Sequence, residues 1–169
     1  MNTIGHFNSD LDLSFERLVS VNRQLIWRAW TEPEFLMKWF CPRPWKTIQC
    51  EIDLQSGGKF ETTMQSPEGH KVLNQACYLA IVPFEKIIWT NALRPGYRPK
   101  SQEMEALPTT PNFQFTCVIE LTEEGNQTRY RATVIHADRI SCETHASMGF
   151  EAGWSKAFEQ MIEAIECLN

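Results

Sequence analysis

Few residues in this chain have both the type and the placing for acid–base or metal chemistry. The four histidines are His6, His70, His136 and His145. His6 lies in a polar leader and His70 in a tight turn, where both meet water. His136 shares the inward parity of Tyr130 and Val134 at the end of a strand, so it can meet the polar end of something held inside. A buried histidine in such a place more often serves as hydrogen-bonded structure than as a catalyst. Cys142 and His145, three apart at a helix start, would approach each other, but no spacing in Cys41 or Cys50 supports completing a zinc set around them. No metal or cofactor is therefore expected, and no catalytic residue is assigned. Asp53, Glu51 and Glu61 take the outward parity of their strands, which describes a solvated surface rather than an acid–base pair. Gly57-Gly58 joins two strands instead of opening a helix, so it is not a phosphate loop.

The apolar residues on inward faces are more informative. Trp39, Phe60, Met64, Trp89, Phe115, Cys117, Phe150 and Trp154 come from five separate elements. Together with His136 they are the candidate lining of a ligand cavity, and parity alone does not separate lining from core.

The elements that must position them follow from periodicity. Leu13, Phe15, Arg17 and Val19 share one strand parity, and Asn22 then caps a short helix bearing Leu25, Ile26, Ala29 and Trp30. Glu32-Pro33 opens a second short helix with Phe35, Leu36, Trp39 and Phe40. From Thr47 the period becomes two: Ile48, Cys50, Ile52 and Leu54 on one face, then a turn at Ser56-Gly57-Gly58, then Phe60, Thr62 and Met64. Val72 to Val82 is a long strand with apolar residues on both parities. Ile87 and Trp89 lie on the next strand, and Phe113 to Leu121 and Tyr130 to His136 form a closing pair around Glu123-Glu124-Gly125-Asn126. The stretch Ser141 to Leu168 is one long amphipathic helix with Ser147, Phe150, Trp154, Phe158, Met161, Ile165 and Leu168 along its inner stripe. The small residues Ala146, Gly153, Ala157 and Ala164 run beside it, with Gly149 nearby, and suggest either close approach to another backbone or spare room.

This is an α+β plan: a curved antiparallel sheet of about six to seven strands, two short helices after the first, and a long C-terminal helix across the concave face. It is read as one domain over residues 1–169, with residues 1–11 a flexible leader. Leu93 to Asn112, carrying five prolines and glycines, is a loop without structure of its own that would control entry. At net charge −5 with interleaved signs, the chain offers no basic stripe for nucleic acid. It has no apolar run long enough to span a membrane and no secretory leader, and its six scattered cysteines fit a reduced, cytoplasmic protein.

Several short motifs in order carry a resemblance over roughly Asp12 to Leu168. They are Trp27-Arg28-Ala29-Trp30-Thr31-Glu32-Pro33-Glu34 with Trp39-Phe40, Asp53 before Gly57-Gly58-Lys59-Phe60, Pro83-Phe84-Glu85-Lys86-Ile87, and Gly149-Phe150-Glu151-Ala152-Gly153-Trp154. They resemble the START-like (SRPBCC) superfamily, and within it the group named for the activator of the heat-shock-protein-ninety ATPase. The resemblance implies a helix-grip fold, with a cavity between sheet and terminal helix that takes apolar or amphipathic small molecules and in some branches hosts catalysis. With so short a leader, the separate domain that precedes this one in the co-chaperone is not expected here. Three functions are expected in order: a receptor for an apolar or aromatic small molecule; a module that binds a chaperone through the acidic helix face of Glu159, Glu163 and Glu166, a stress-response role; and a cyclase- or hydratase-type enzyme using His136.

Overall fold

The computed structural model describes residues 6–101 and 113–168. Seven strands form one antiparallel sheet: β1 (Asp12–Val19), β2 (Lys46–Ile52), β3 (Lys59–Gln65), β4 (Lys71–Val82), β5 (Lys86–Thr90), β8 (Phe115–Glu124) and β9 (Gln127–His136). Their spatial order is β1-β9-β8-β5-β4-β3-β2. Two more strands, β6 (Leu93–Arg94) and β7 (Arg98–Pro99), pair only with each other. The sheet therefore starts as a meander, and the chain's first strand returns to close beside its last.

Two short helices interrupt the sheet after β1. In α1 (Arg23–Thr31), Asn22 caps the N-terminus by accepting from the Gln24 amide at 2.7 Å, and Ile26, Trp27, Ala29 and Trp30 are buried. Pro33 opens α2 (Pro33–Leu36), where a missing amide hydrogen costs nothing. The Trp39 indole then donates to the Ala29 carbonyl at 2.9 Å, binding the two helices together.

The long C-terminal helix expected from Ser141 to Leu168 is two helices, α3 (Arg139–Ser147) and α4 (Phe150–Glu166). Gly149, at φ 88°, separates them, a left-handed conformation that glycine takes without steric cost. The amphipathic stripe hides this break because glycine within a helical pattern does not disturb the period. The inner stripe is accordingly shorter: Phe150, Phe158, Met161 and Ile165 are buried, Trp154 is half-buried, and Ser147 and Leu168 are exposed. Gly153 does not mark a close backbone approach. A methyl group there would meet its first neighbour, Pro42, at 3.9 Å, ordinary van der Waals contact.

Register explains two further departures. A bulge between Thr47 and Gln49 turns Ile48 outward and buries Thr47, against the alternation expected from Thr47 onward. A second irregularity between Tyr78 and Ala80 shifts β4 by one residue, which is why its apolar residues fall on both parities. The loop from Leu93 is structured in its first part. Tyr97 lies against Gly57, whose Cβ, if it had one, would sit 2.9 Å from the Tyr97 ring, and the Gly96 amide donates to the Gly57 carbonyl at 2.8 Å. The remainder of that loop, 102–112, falls outside the described residues.

A buried polar side chain ties α4 to the segment after α2. Gln160, 5% exposed, donates from Nε2 to the carbonyls of Trp39 and Cys41 at 3.1 and 2.8 Å. Its Oε1 accepts from the Arg43 backbone amide at 2.9 Å. Cys41 stands at φ 125°, a conformation that costs a non-glycine residue about 1–3 kcal/mol and persists only when its surroundings over-determine it. Replacing Gln160 with Leu strands the Cys41 carbonyl and the Arg43 amide and leaves the Trp39 carbonyl with only the Cys41 amide, and the expected loss is about 2 kcal/mol of unfolding free energy. Denaturant titration checks this, and an unchanged midpoint would show that the latch carries no load.

Candidate functional site

The concave face of the sheet meets α4 along a seam whose two ends differ. Under the middle and C-terminal part of the helix the seam is filled. Phe15 packs on Phe158 at 5.7 Å between ring centroids, Tyr130 packs on Phe158 at 5.0 Å, and Trp30 meets Trp39 at 4.9 Å. Phe15, Tyr130, Met161 and Ile165 are at most 2% exposed. Rings in mutual contact at this density leave no room for a guest.

The other end, where α3 gives way to α4, is built differently. Phe113, Phe115, His145 and Trp154 are each only half-buried, and they share contacts: Phe113 with His145 at 4.9 Å, Phe115 with His145 at 5.6 Å, and His145 edge-on to Phe150 at 5.3 Å. Trp89 adjoins them through Phe115 at 5.5 Å and reaches Phe60 at 5.2 Å on its other side. The Trp89 indole N–H is buried with no hydrogen-bond partner among the described residues, in a side chain 8% exposed. An unpaired buried donor costs about 1–3 kcal/mol, so folding has retained it against a penalty.

His136, 4% exposed, lies behind this surface. Its backbone amide and its Nδ1 both point at the Leu11 carbonyl, at 3.0 and 2.9 Å, and its Nε2 is 2.9 Å from Nδ1 of His145. Both ring nitrogens of His136 are therefore occupied, and of the two imidazoles His145 is the less buried. Burial, followed by repulsion from His136, pushes the His145 imidazole down to about 4, so it is uncharged at neutral pH. Asp138, which caps α3 by accepting from the Ser141 amide at 2.8 Å, fixes the helix that carries His145.

Of the residues expected to line a cavity, Trp89, Phe115, His136, Phe150 and Trp154 gather at this end, with Phe60 and Cys117 behind them. Cys117 is fully buried opposite Trp89 in the ladder, and burial pushes its thiol far above the ordinary value. Trp39 belongs to the filled part of the seam. Met64 is half-buried on β3, between Thr47 and Val72 across the ladder. His145 and Phe113 were not in the expected set. His145 follows His136 by nine positions across a strand-to-helix turn, and no periodicity relates them.

Two recesses lie elsewhere. One, of about 430 Å³, sits on the opposite face of the sheet beside Phe7, Glu16, Glu120 and Arg131. Hydrogen bonding to Arg131, and then to Arg129, holds Glu16 below the usual carboxylate range, so the charges there satisfy each other. The other, of about 260 Å³, follows the Gln160 latch. Among the described residues no cluster of three or more metal-binding side chains occurs, and no helix is long and apolar enough to cross a membrane.

The model of the family described as activator of Hsp90 ATPase homolog 1-like protein matches residues 20–166. The chain belongs to this family. A crystal structure of a protein from Nitrosomonas europaea is 39% identical, with a TM-score of 0.85 over 95% of this chain and 97% of that one. A Rhodobacter sphaeroides protein is 16% identical at TM-score 0.77, covering 95% of each chain. An AHSA1-like protein from Aeromonas hydrophila is 15% identical at TM-score 0.65, covering 94% of each. The last two share the fold alone. No curated protein matches. The helix-grip, α+β architecture expected from the sequence is thus the architecture of the family.

The unfolded chain protonates His145 around 6.5 and the folded chain only near 4. The unfolded state therefore binds more protons between those values, and stability falls as pH drops from 6.5 toward 4. Comparing denaturant midpoints at pH 7 and pH 5, the unmodified protein should lose more stability than His145→Gln. Equal losses would mean that the imidazole is not buried as described.

Proposed function

We propose that this protein binds a small apolar molecule with an aromatic ring at the open end of the seam, against Phe113, Phe115, His145 and Trp154. The observation that carries the reading is the half-exposed aromatic wall itself, with the buried, unpaired Trp89 indole N–H behind it. The Trp30 indole N–H, in the filled part of the seam, is also buried without a partner, so the Trp89 donor supports the reading through the half-exposed rings beside it, where a ligand could supply the missing oxygen or nitrogen. The half-exposed rings beside it contribute dispersion and shape, which a flat guest would complete. The filled remainder of the seam confines the ligand to this end.

The chaperone-binding alternative has less support. Of the acidic face on which it rested, Glu163 is engaged by Arg43 at 2.7 Å and Glu159 accepts from Ser155 at 3.5 Å, leaving a thinner charge patch for a partner. The enzyme alternative passes from His136 to His145, because the former has no free nitrogen.

Titration of tryptophan fluorescence with naphthalene derivatives tests the reading. Saturable quenching with a micromolar midpoint is expected, and Phe115→Ala should weaken it by about tenfold, equivalent to losing one good ring contact. Unsaturable quenching by every derivative, or an unchanged midpoint in Phe115→Ala, would contradict it.

A further inference from the structure

The hydrogen-bond polarity of the two-histidine chain follows from its far end. A backbone carbonyl only accepts, so the contact at 2.9 Å from His136 Nδ1 to the Leu11 carbonyl requires a proton on that nitrogen. In neutral His136 the other nitrogen, Nε2, is then a lone pair and accepts from whatever lies 2.9 Å away, which is His145 Nδ1. His145 in turn carries its proton on Nδ1, and its Nε2 is left as a bare acceptor. No partner for that atom exists among the described residues, and the ring around it touches Phe113, Phe115 and Phe150.

Resting on the binding reading above, we propose that the Leu11 carbonyl, His136 and His145 form a relay that fixes His145 Nε2 as a hydrogen-bond acceptor, so that the site selects neutral aromatic alcohols. The ligand hydroxyl donates to Nε2 and keeps its proton; no bond to carbon or oxygen is made or broken. The Trp89 indole N–H is the complementary donor, available to an acceptor atom elsewhere on the same guest. An aryl ether of equal size would place a methyl group where a proton is needed and leave the lone pair unpaired. A carboxylate would bring negative charge against it. The site is in this sense a filter for a hydroxyl group in its protonated form, imposed by a carbonyl two residues removed from the ligand.

Two measurements at pH 7 test this. In the free protein, long-range proton–nitrogen NMR on ¹⁵N-histidine should find both His136 and His145 protonated at Nδ1 and bare at Nε2. In calorimetry, 2-naphthol should bind about tenfold more tightly than 2-methoxynaphthalene, and 2-naphthoate more weakly than either. In His145→Phe, which keeps the ring and removes the acceptor, the preference for the alcohol over the ether should fall to about one. A proton found on Nε2 of His145, or equal binding of alcohol and ether by the unmodified protein, overturns the relay while leaving the binding reading intact. Binding of neither arene ends that reading, and the proposed filter with it. The NMR result needs no variant, so a misfolded His145→Phe would not shelter the proposal.

Discussion

The inner face of the sheet carries Phe15, Ile87, Ile119, Tyr130 and Val134, and α4 is the element laid across it with Phe158, Met161 and Ile165. Everything else in the architecture accommodates that contact. A sheet with one apolar face is stable only when covered, and about 25 cal/mol is gained for each Å² of apolar surface removed from water. The first strand, far from the last in sequence, closes beside β9 and brings Phe15 under the helix. The two short helices supply Trp30 and Trp39 to seal one side, and Gln160 locks the helix to the chain that follows them. The seam is finite, however. Because Gly149 turns the chain between α3 and α4, the cover stops before the rings do, and Phe113, Phe115 and Trp154 are left partly wet.

The same turn accounts for the chemistry at the open end. α3 leaves the line of α4 and lies by the end of β9, which sets His145 against His136. A pair of imidazoles this close repel each other once charged, and burial adds to that penalty. The pair is held all the same by the Leu11 carbonyl behind it, just upstream of β1. The strand that closes the sheet thus also sets the tautomer at the site.

Much of this was legible in the sequence because it depends on local period. Alternation marked the faces of β1, β3, β8 and β9, including the inward Phe60, Phe115, Cys117 and His136. Asn22 and Pro33 are local signals whose capping chemistry acts within a few residues. What was not legible depends on contacts between distant segments. The bulges at Ile48 and after Tyr78 arise from ladder pairing, and only the partner strand reveals them. The fold of the 93–99 segment depends on Tyr97 finding the bare face of Gly57, forty residues away. The helix break was present as Gly149, but the apolar period ran through it undisturbed. His145 was visible only as a residue three from a cysteine, because its real neighbours, His136 and three phenylalanines, come from other elements or from across the glycine turn.

The account therefore turns on one end of one seam being unfinished by the protein itself. The most direct measurement is an amide and indole NMR map recorded while the ¹⁵N-labelled protein is titrated with 2-naphthol. The Trp89 indole N–H should move on saturation together with the signals of Phe113, Phe115, His145 and Trp154, while the Trp39 indole, already bonded to the Ala29 carbonyl, stays in place. A Trp89 indole that does not move, or shifts gathered instead on the opposite face around Glu16 and Arg131, would contradict it.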